Sequence, residues 1–367
     1  MSEVRIPVYR PSLGERERRY LVDAFDSGWI SSKGAYVRRF EQAFGEYIGT
    51  PHATSVANGT MALHLALAAL GIGAGDEVIV PTFTYVASVN TILQVGATPV
   101  FADSLASTWQ VDPQDVERRI TPRTRAIMPV HLYGQMCDMP TIMDIARKHR
   151  LLVVEDCAEA FGSRIDRRHA GTFGDAATFS FFGNKTITTG EGGMVVAREA
   201  RHLQRMAFLK NQGVSPTREY WHDEPAYNYR MTNLAAAVGL AQLERADELI
   251  ARKRHVADRY RERLAHLPVT LHEEQPGTVH SFWMVSLLVD DALRLAPLRG
   301  ALAREGVETR PVFHPAHTLP MYTSLARGRY PVAEDLASRG MNLPSWPELA
   351  DDAVDAICEA LDRGLRH

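Results

Sequence analysis

The sequence predicts an α/β protein with a large, mostly parallel sheet domain and a smaller C-terminal α/β domain. Two patterns carry that expectation. Short apolar runs alternate with helix-period segments along most of the chain, which is the signature of strands joined by crossover helices. The runs are continuous rather than alternating, as expected of strands buried on both faces. Beyond Thr232 the character changes to a charged helical stretch and a second set of strands. The predicted division is 1–245 for the large domain and 246–367 for the small one.

The elements follow in order. ATSVA (53–57) leads through Asn58-Gly59-Thr60 into MALHLALAALG, which is apolar on nearly every side and reads as a buried helix. DEVIV (76–80) stops at Pro81. TPVFAD (98–103), RAIMPV (125–130), LLVVED (151–156), AATFSFF (176–182) and GGMVVA (192–197) are the next strands. PTIMDIARKHR and AREARHLQRMAFLK carry the helical period between them. NLAAAVGLAQLERADELIARKRHVADRYRERLAHL reads as a long helical stretch with room for one break and a solvated Arg/Glu face. SFWMVSLLVD and VETRPVF read as strands of the small domain, with ALRLAPLRGALAREG as the helix between them.

Composition narrows the function classes. The chain has 367 residues, 45% hydrophobic and 23% charged, and its 41 basic and 44 acidic residues leave a net charge of −3. There is no basic tract for nucleic acid and no acidic tail. The opening MSEVRIPVYRPSLGERERRY lacks the apolar core of a secretory leader, and no run approaches the ~18 residues of a membrane span. Cys137, Cys157 and Cys358 show no CxxC spacing. A reducing, cytoplasmic setting is expected.

In open α/β sheets, ligands bind at the carboxyl ends of the strands. After ATSVA, Asn58-Gly59-Thr60 opens a helix, with Thr60 as a candidate cap. This is either an anion site on free N–H groups or an ordinary capped helix. After LLVVE, Asp156 is either paired or catalytic, since burying it alone costs several kcal/mol. After DEVIVP, Phe83 and Tyr85 are either core aromatics or stacking platforms for a flat ligand. Lys185, in FSFFGNKTITTGEGG, is a salt-bridge partner, a phosphate ligand or an activated amine. Burial lowers a lysine's pKa, and a neutral amine condenses with aldehydes. Pyridoxal phosphate needs such a lysine, an acid for its ring nitrogen, a phosphate cradle and packing for its ring. Lys185, Asp156, Gly59-Thr60 with Ser180, and Tyr85 make that set.

Two competing phosphate motifs fail on the text. A Walker A loop needs GxxxxGK[ST], but Asn184 stands where the glycine before Lys185 belongs. A dinucleotide fingerprint needs GxGxxG between strand and helix, whereas GIGAGD follows a helix and GEGG precedes a strand. HxxH at His314 and His317 suggests metal, yet Pro315 opposes the helix such a pair uses and no third ligand is evident. No metal is expected. Arg230 and His131 are further polar candidates. Arg230 suits a phosphate, a donor carboxylate or an interface ion pair.

ANGTMALHLAL, GDEVIVPTFTYVASVN, ITPRTRAIMPVHLYGQMCDM, LLVVEDCAEAFGS, GDAATFSFFGNKTITTGEGGM and YNYRMTNLAAAVGLAQL together resemble the DegT family of sugar-nucleotide aminotransferases, over nearly the whole chain. The resemblance implies a fold-type I, pyridoxal-phosphate-dependent enzyme. It implies that Lys185 bonds the cofactor's aldehyde and Asp156 pairs with its ring nitrogen. Tyr85 would lie over the ring, Gly59, Thr60 and Ser180 would hold the phosphate, and Glu159 would stand near the cofactor, where relatives often carry His or Gln. Asn228 would reach the phosphate in a neighbouring subunit, making the active unit a homodimer. His314 would contact the sugar nucleotide, with His317, Tyr322 and Arg230 as further substrate candidates; a structural loop role stays open for His317.

The implied reaction moves an amino group from L-glutamate, through pyridoxamine phosphate, to a nucleotide-linked 4-keto-6-deoxyhexose. The resemblance of FSFFGNKTITTGEGGM, HLYGQMCDM and RPVFHPAH to members of that family implies GDP-4-keto-6-deoxymannose as the ketosugar. The alternatives are another ketosugar nucleotide, a sugar dehydratase on the same cofactor, and a cofactor-binding regulator. The presence of lysine at 185 opposes the dehydratase, in which histidine takes that place.

Overall fold

The computed structural model describes residues 5–366. Residues 1–4 and 367, where the leader reading starts and the predicted domains begin and end, lie outside the described residues. In chain order the strands are β1 (Ala53–Val56), β2 (Glu77–Pro81), β3 (Thr98–Ala102), β4 (Thr124–Ile127), β5 (Leu152–Asp156), β6 (Arg164–Ile165), β7 (Arg168–His169), β8 (Ala176–Ser180) and β9 (Gly193–Ala197). β10 (Val269–Leu271), β11 (Thr278–Val279), β12 (Val285–Val289), β13 (Arg310–Pro311) and β14 (Gly340–Leu343) follow.

The large sheet has seven strands in the order β1-β9-β8-β5-β4-β2-β3. β9 is antiparallel to both neighbours, and every other pairing is parallel. All strands but β9 therefore end on one edge. The continuous apolar runs have the reason expected of them. Val78 and Val80 of β2 enter one apolar cluster and Ile79 enters the other, so the sheet is covered on both sides. One cover is the helix Gly59–Ala69, packed on β8 and β9. The opposite face carries Phe40 and Phe44 of the helix Ala35–Ile48, and the helix Asn233–Leu243.

The C-terminal part has its own antiparallel sheet, β10-β12-β14-β13, and a third apolar cluster shared with the helices Ala246–Leu264, Ala292–Arg304 and Asp351–Arg366. Several contacts tie the parts together, among them two strand-type pairings. β11 pairs with β6. Near the start of the described chain, Ile6 bridges Val307, and the Val8 carbonyl accepts from the Ser345 N–H at 3.1 Å.

Several expectations shift. The long helical stretch breaks once, between Leu243 and Ala246, at Arg245 (φ −112°, ψ 9°). VETRPVF contributes only Arg310–Pro311 to the sheet; Pro311 has no N–H to give a ladder. The cap of the helix Gly59–Ala69 is Asn58, whose side chain accepts from the Met61 N–H at 2.8 Å, while Thr60 lies within the first turn. Among the described residues, no helix is long and apolar enough to cross a membrane.

Candidate active site

A cleft of about 420 Å³ opens at the carboxyl edge of the large sheet. Its walls come from the ends of several strands and from two residues of the C-terminal part, Trp283 and Phe313. The strands other than β9 leave the sheet at this edge, so the residues that follow them are delivered to the cleft side by topology.

Asp156 is the last residue of β5 and is 4% exposed. Its Oδ2 accepts from the Ser88 hydroxyl at 2.8 Å and its Oδ1 from the Ala158 N–H at 3.1 Å. Burial pushes its pKa up, against those two donors and the nearby Lys185. The pair of hydrogen bonds fixes the plane of the carboxyl group.

Lys185 lies in the loop between β8 and β9, with its side chain 13% exposed. The backbone there is held from both directions. The Lys185 N–H donates to the Phe182 carbonyl at 2.9 Å, and its carbonyl accepts from the Tyr9 hydroxyl at 2.7 Å. Lys185 Nζ stands 3.8 Å from Glu159 Oε1 and 3.9 Å from the centre of the Trp283 ring. Burial pushes the lysine pKa down, opposed by the charges of Glu159 and Asp156. Burial likewise pushes the Glu159 carboxyl up to about 7, opposed by Lys185 and the Tyr133 N–H. Both shifts favour the neutral forms of the two groups.

The phosphate-type corner is built by close approach. A Cβ on Gly59 would lie 2.8 Å from Ser180 Cβ and 3.1 Å from Ser180 Oγ, so only glycine fits against β8 there. The first N–H groups of the helix have no partner within it, and their dipole favours an anion. Tyr85, 58% exposed, lines the same cleft, its ring 5.8 Å from Phe313. Asn184 Oδ1 is buried without a protein partner in a residue that lines the same cleft. An orphaned acceptor, an anion-suited helix end, an amine and a fixed carboxylate fit pyridoxal phosphate, which carries ring, phosphate and aldehyde.

Gly59, Thr60, Tyr85, Asp156, Glu159, Ser180 and Lys185 thus line one cleft. Other predicted residues lie elsewhere. Asn228 borders a separate hollow with Gln212 and His222, and its Oδ1 accepts from Arg230 at 2.8 Å. Arg230 also donates to Asn211 Oδ1 at 2.9 Å and lines a third hollow. His314 is exposed and outside the cleft lining. His317 Nδ1 bonds Thr82 Oγ1 at 2.7 Å and its Nε2 pairs with Glu334 at 3.2 Å. Tyr322 is 1% exposed and donates to Asn90 Oδ1. His131 is buried, with Nε2 on Glu155 at 3.1 Å and Nδ1 accepting the Cys137 N–H at 3.1 Å. Cys157 lies beside that pair, but the Glu155 carboxylate also takes the Gly171, Phe173 and Gly174 N–H groups, the bonding of a structural hub.

Sequence reasoning missed Ser88, Asn184, Trp283 and Phe313. Asn184 adjoins the lysine and was readable as a neighbour. Trp283 gave one signal, an indole two residues before the buried strand Val285–Val289.

The model of the DegT/DnrJ/EryC1/StrS aminotransferase family matches residues 11–362. GDP-perosamine synthase of Vibrio cholerae is 54% identical over 359 residues, covering 97% of this chain and 98% of its own. The enzyme of the same name from Escherichia coli O157:H7 is 54% identical over 357 residues, covering 97% and 98%. A putative sugar aminotransferase from Streptococcus pneumoniae, solved in PLP and PMP forms, superposes with a TM-score of 0.94 at 30% identity, covering 98% of each chain.

Proposed function

Because the chain belongs to the DegT/DnrJ/EryC1/StrS aminotransferase family, and so is a pyridoxal-phosphate-dependent transaminase, we propose that it aminates the 4-keto carbon of GDP-4-keto-6-deoxymannose to give GDP-perosamine, with L-glutamate as donor. The observation that carries the reading is the buried Lys185 amine, 3.8 Å from Glu159, in the cleft that Asp156 also lines. The names of the relatives support the sugar.

Pyridoxal phosphate, when bound, supplies an aldehyde that takes up amino groups and a ring that accepts electron density. Lys185 would bond the aldehyde and Asp156 would face the ring nitrogen. Gly59, Thr60 and Ser180 would hold the phosphate, and Tyr85 would cover the ring. Glu159 would stand by the amine. The chain's own contribution is protonic and positional. Ser88 and the Ala158 N–H hold the Asp156 carboxylate in one orientation, so it meets a ring N–H without reorganising. Burial biases Lys185 toward the neutral amine, the form that takes a proton from carbon and returns it to a neighbouring carbon.

Asn228 stands outside its own subunit's cleft, which supports its acting in a partner's cleft and a homodimer as the working unit. Arg230, paired with Asn228, and exposed His314 belong to the same reading as sugar-nucleotide contacts; His317 and Tyr322 are weaker members of it, given the partners they already have. The separate C-terminal sheet and apolar cluster support domains of 1–245 and 246–367. The enzyme would work in the cytoplasm, and its product would feed O-antigen assembly. The test is incubation with GDP-4-keto-6-deoxymannose and ¹⁵N-labelled L-glutamate. Labelled GDP-perosamine is expected by mass spectrometry. Ketosugar turnover that removes a hydroxyl group and leaves no label in the product would instead indicate dehydration.

A further inference from the structure

We infer that Trp283 and Glu159 form a holding place for the Lys185 ammonium, occupied when that amine is protonated and not bonded to the cofactor. The inference rests on the role proposed above for Lys185 and adds what happens to the side chain once an incoming amine displaces it.

The amine already has two walls. Glu159 Oε1 is 3.8 Å from Nζ, and the Trp283 ring centre is 3.9 Å from it. Both walls are fixed by one residue, Tyr133. Its N–H donates to Glu159 Oε2 at 2.9 Å, which leaves Oε1 for the amine. Its ring stacks on Trp283 at 6.2 Å and 16°, and on Phe313 at 5.4 Å and 19°. Tyr133 does this from a left-handed backbone, φ +58°, which an aromatic residue adopts only when its surroundings enforce it. The enforcement is visible next door. A Cβ on Gly134 would lie 2.7 Å from the Phe282 N and 2.9 Å from the Trp283 N, so this loop is pressed against the segment that carries the indole. The indole edge is pinned as well, Nε1 donating to the Asn184 carbonyl at 2.7 Å.

The lysine backbone is held by Phe182 and Tyr9, so the side chain alone moves. A released ammonium in a buried cleft loses water, and burial would strip its proton. A carboxylate oxygen and an indole face replace that water. The charged groups that face the amine are Asp156, at the end of β5, and Glu159, on the turn after it; Glu191 also lines the cleft. Trp283 is different in kind. It favours the ammonium without titrating, and it comes from the C-terminal part of the chain. The catalytic amine is thereby coupled to the position of that part.

The test reads the amine itself, in full-length cofactor-free protein. Lys185 is acetylated with limiting acetic anhydride across a pH series, and its peptide is quantified by mass spectrometry. Trp283→Leu should lower the Lys185 pKa by about 0.4–1.5 units, the worth of a desolvated cation–π contact. Trp283→Phe, which keeps a ring face but loses the Nε1 bond, should lower it less. Glu159→Gln should lower it as well. An unchanged pKa in Trp283→Leu, with thermal unfolding showing a folded protein, overturns the inference. If that variant does not fold, unchanged values in both Trp283→Phe and Glu159→Gln overturn it. The underlying role of Lys185 is tested apart from this, by the visible band formed when pyridoxal phosphate is added to the wild-type protein. Without a band that role fails, whatever the pKa comparison shows.

Discussion

Gly59→Ala puts the phosphate corner to a stringent test. The added Cβ would lie 2.8 Å from Ser180 Cβ, 3.1 Å from Ser180 Oγ and 3.4 Å from Ser180 Cα. The first of these is shorter than folded proteins tolerate. Ser180 cannot withdraw, because β8 is hydrogen-bonded between β5 and β9. The first turn of the helix must therefore move away. Overpacking of this kind costs about 1–3 kcal/mol of stability, offset in part by the ~1 kcal/mol by which alanine betters glycine in a helix. The net loss of stability should be about 0–2 kcal/mol. Ligand affinity should change more, since the displaced turn carries the N–H groups meant for the phosphate. Losing one hydrogen bond to a charged acceptor costs about 1.5–3 kcal/mol, which is about 10–150-fold in Kd. Absorbance titration of the cofactor-free protein with pyridoxal phosphate measures this directly. An alanine variant with wild-type Kd would refute the assignment of Gly59 and Ser180 to the phosphate.

Three further outcomes are expected. Glu159 has its pKa raised to about 7 in the folded protein, so the folded state binds the extra proton and the stability it contributes is present below about 4.5 and lost as pH rises toward 7. Glu159→Gln should flatten that decline in melting temperature between pH 5 and 8, and parallel curves for the two proteins would contradict it. Lys253 is 1% exposed, and burial pushes its pKa down to about 7; the unfolded chain binds its proton more readily, so wild-type stability gains as pH climbs from 7 to 10. The stability of Lys253→Met relative to wild type should fall over that range, and a constant difference would count against it. Mixing inactive Lys185→Ala with Asn228→Ala should restore part of the activity, because hybrid dimers would contain one site with both native residues; no recovery after subunit exchange would argue against a shared site.

The cleft was readable because parallel sheets write their ligand edge into the chain. Each of ATSVA, LLVVED and AATFSFF is a strand-like run whose end falls at one edge, so Gly59, Asp156 and Lys185, each at or within three residues of such an end, could be matched from local text. What was not readable depends on contacts between distant segments. Trp283 and Phe313 reach the cleft only because the C-terminal part docks beside the sheet edge. His317 and Tyr322 were themselves expected among the substrate contacts, yet Thr82, Glu334 and Asn90 claim their polar atoms. β14, with sequence GMNL, has no β-branched residue and takes its extended form from pairing with β12 and β13. The break after Leu243 was legible only as a possibility, because Glu244 and Arg245 are good helix formers; the turn there is set by packing, with Arg245 reaching back to Glu17 at 3.2 Å.

The most direct test of the central claim is the visible absorption spectrum of the purified protein, recorded before and after addition of L-glutamate. The account predicts a yellow protein whose band bleaches with glutamate and is missing in Lys185→Ala. A protein that stays colourless after incubation with pyridoxal phosphate, or a band that persists unchanged in Lys185→Ala, would contradict it.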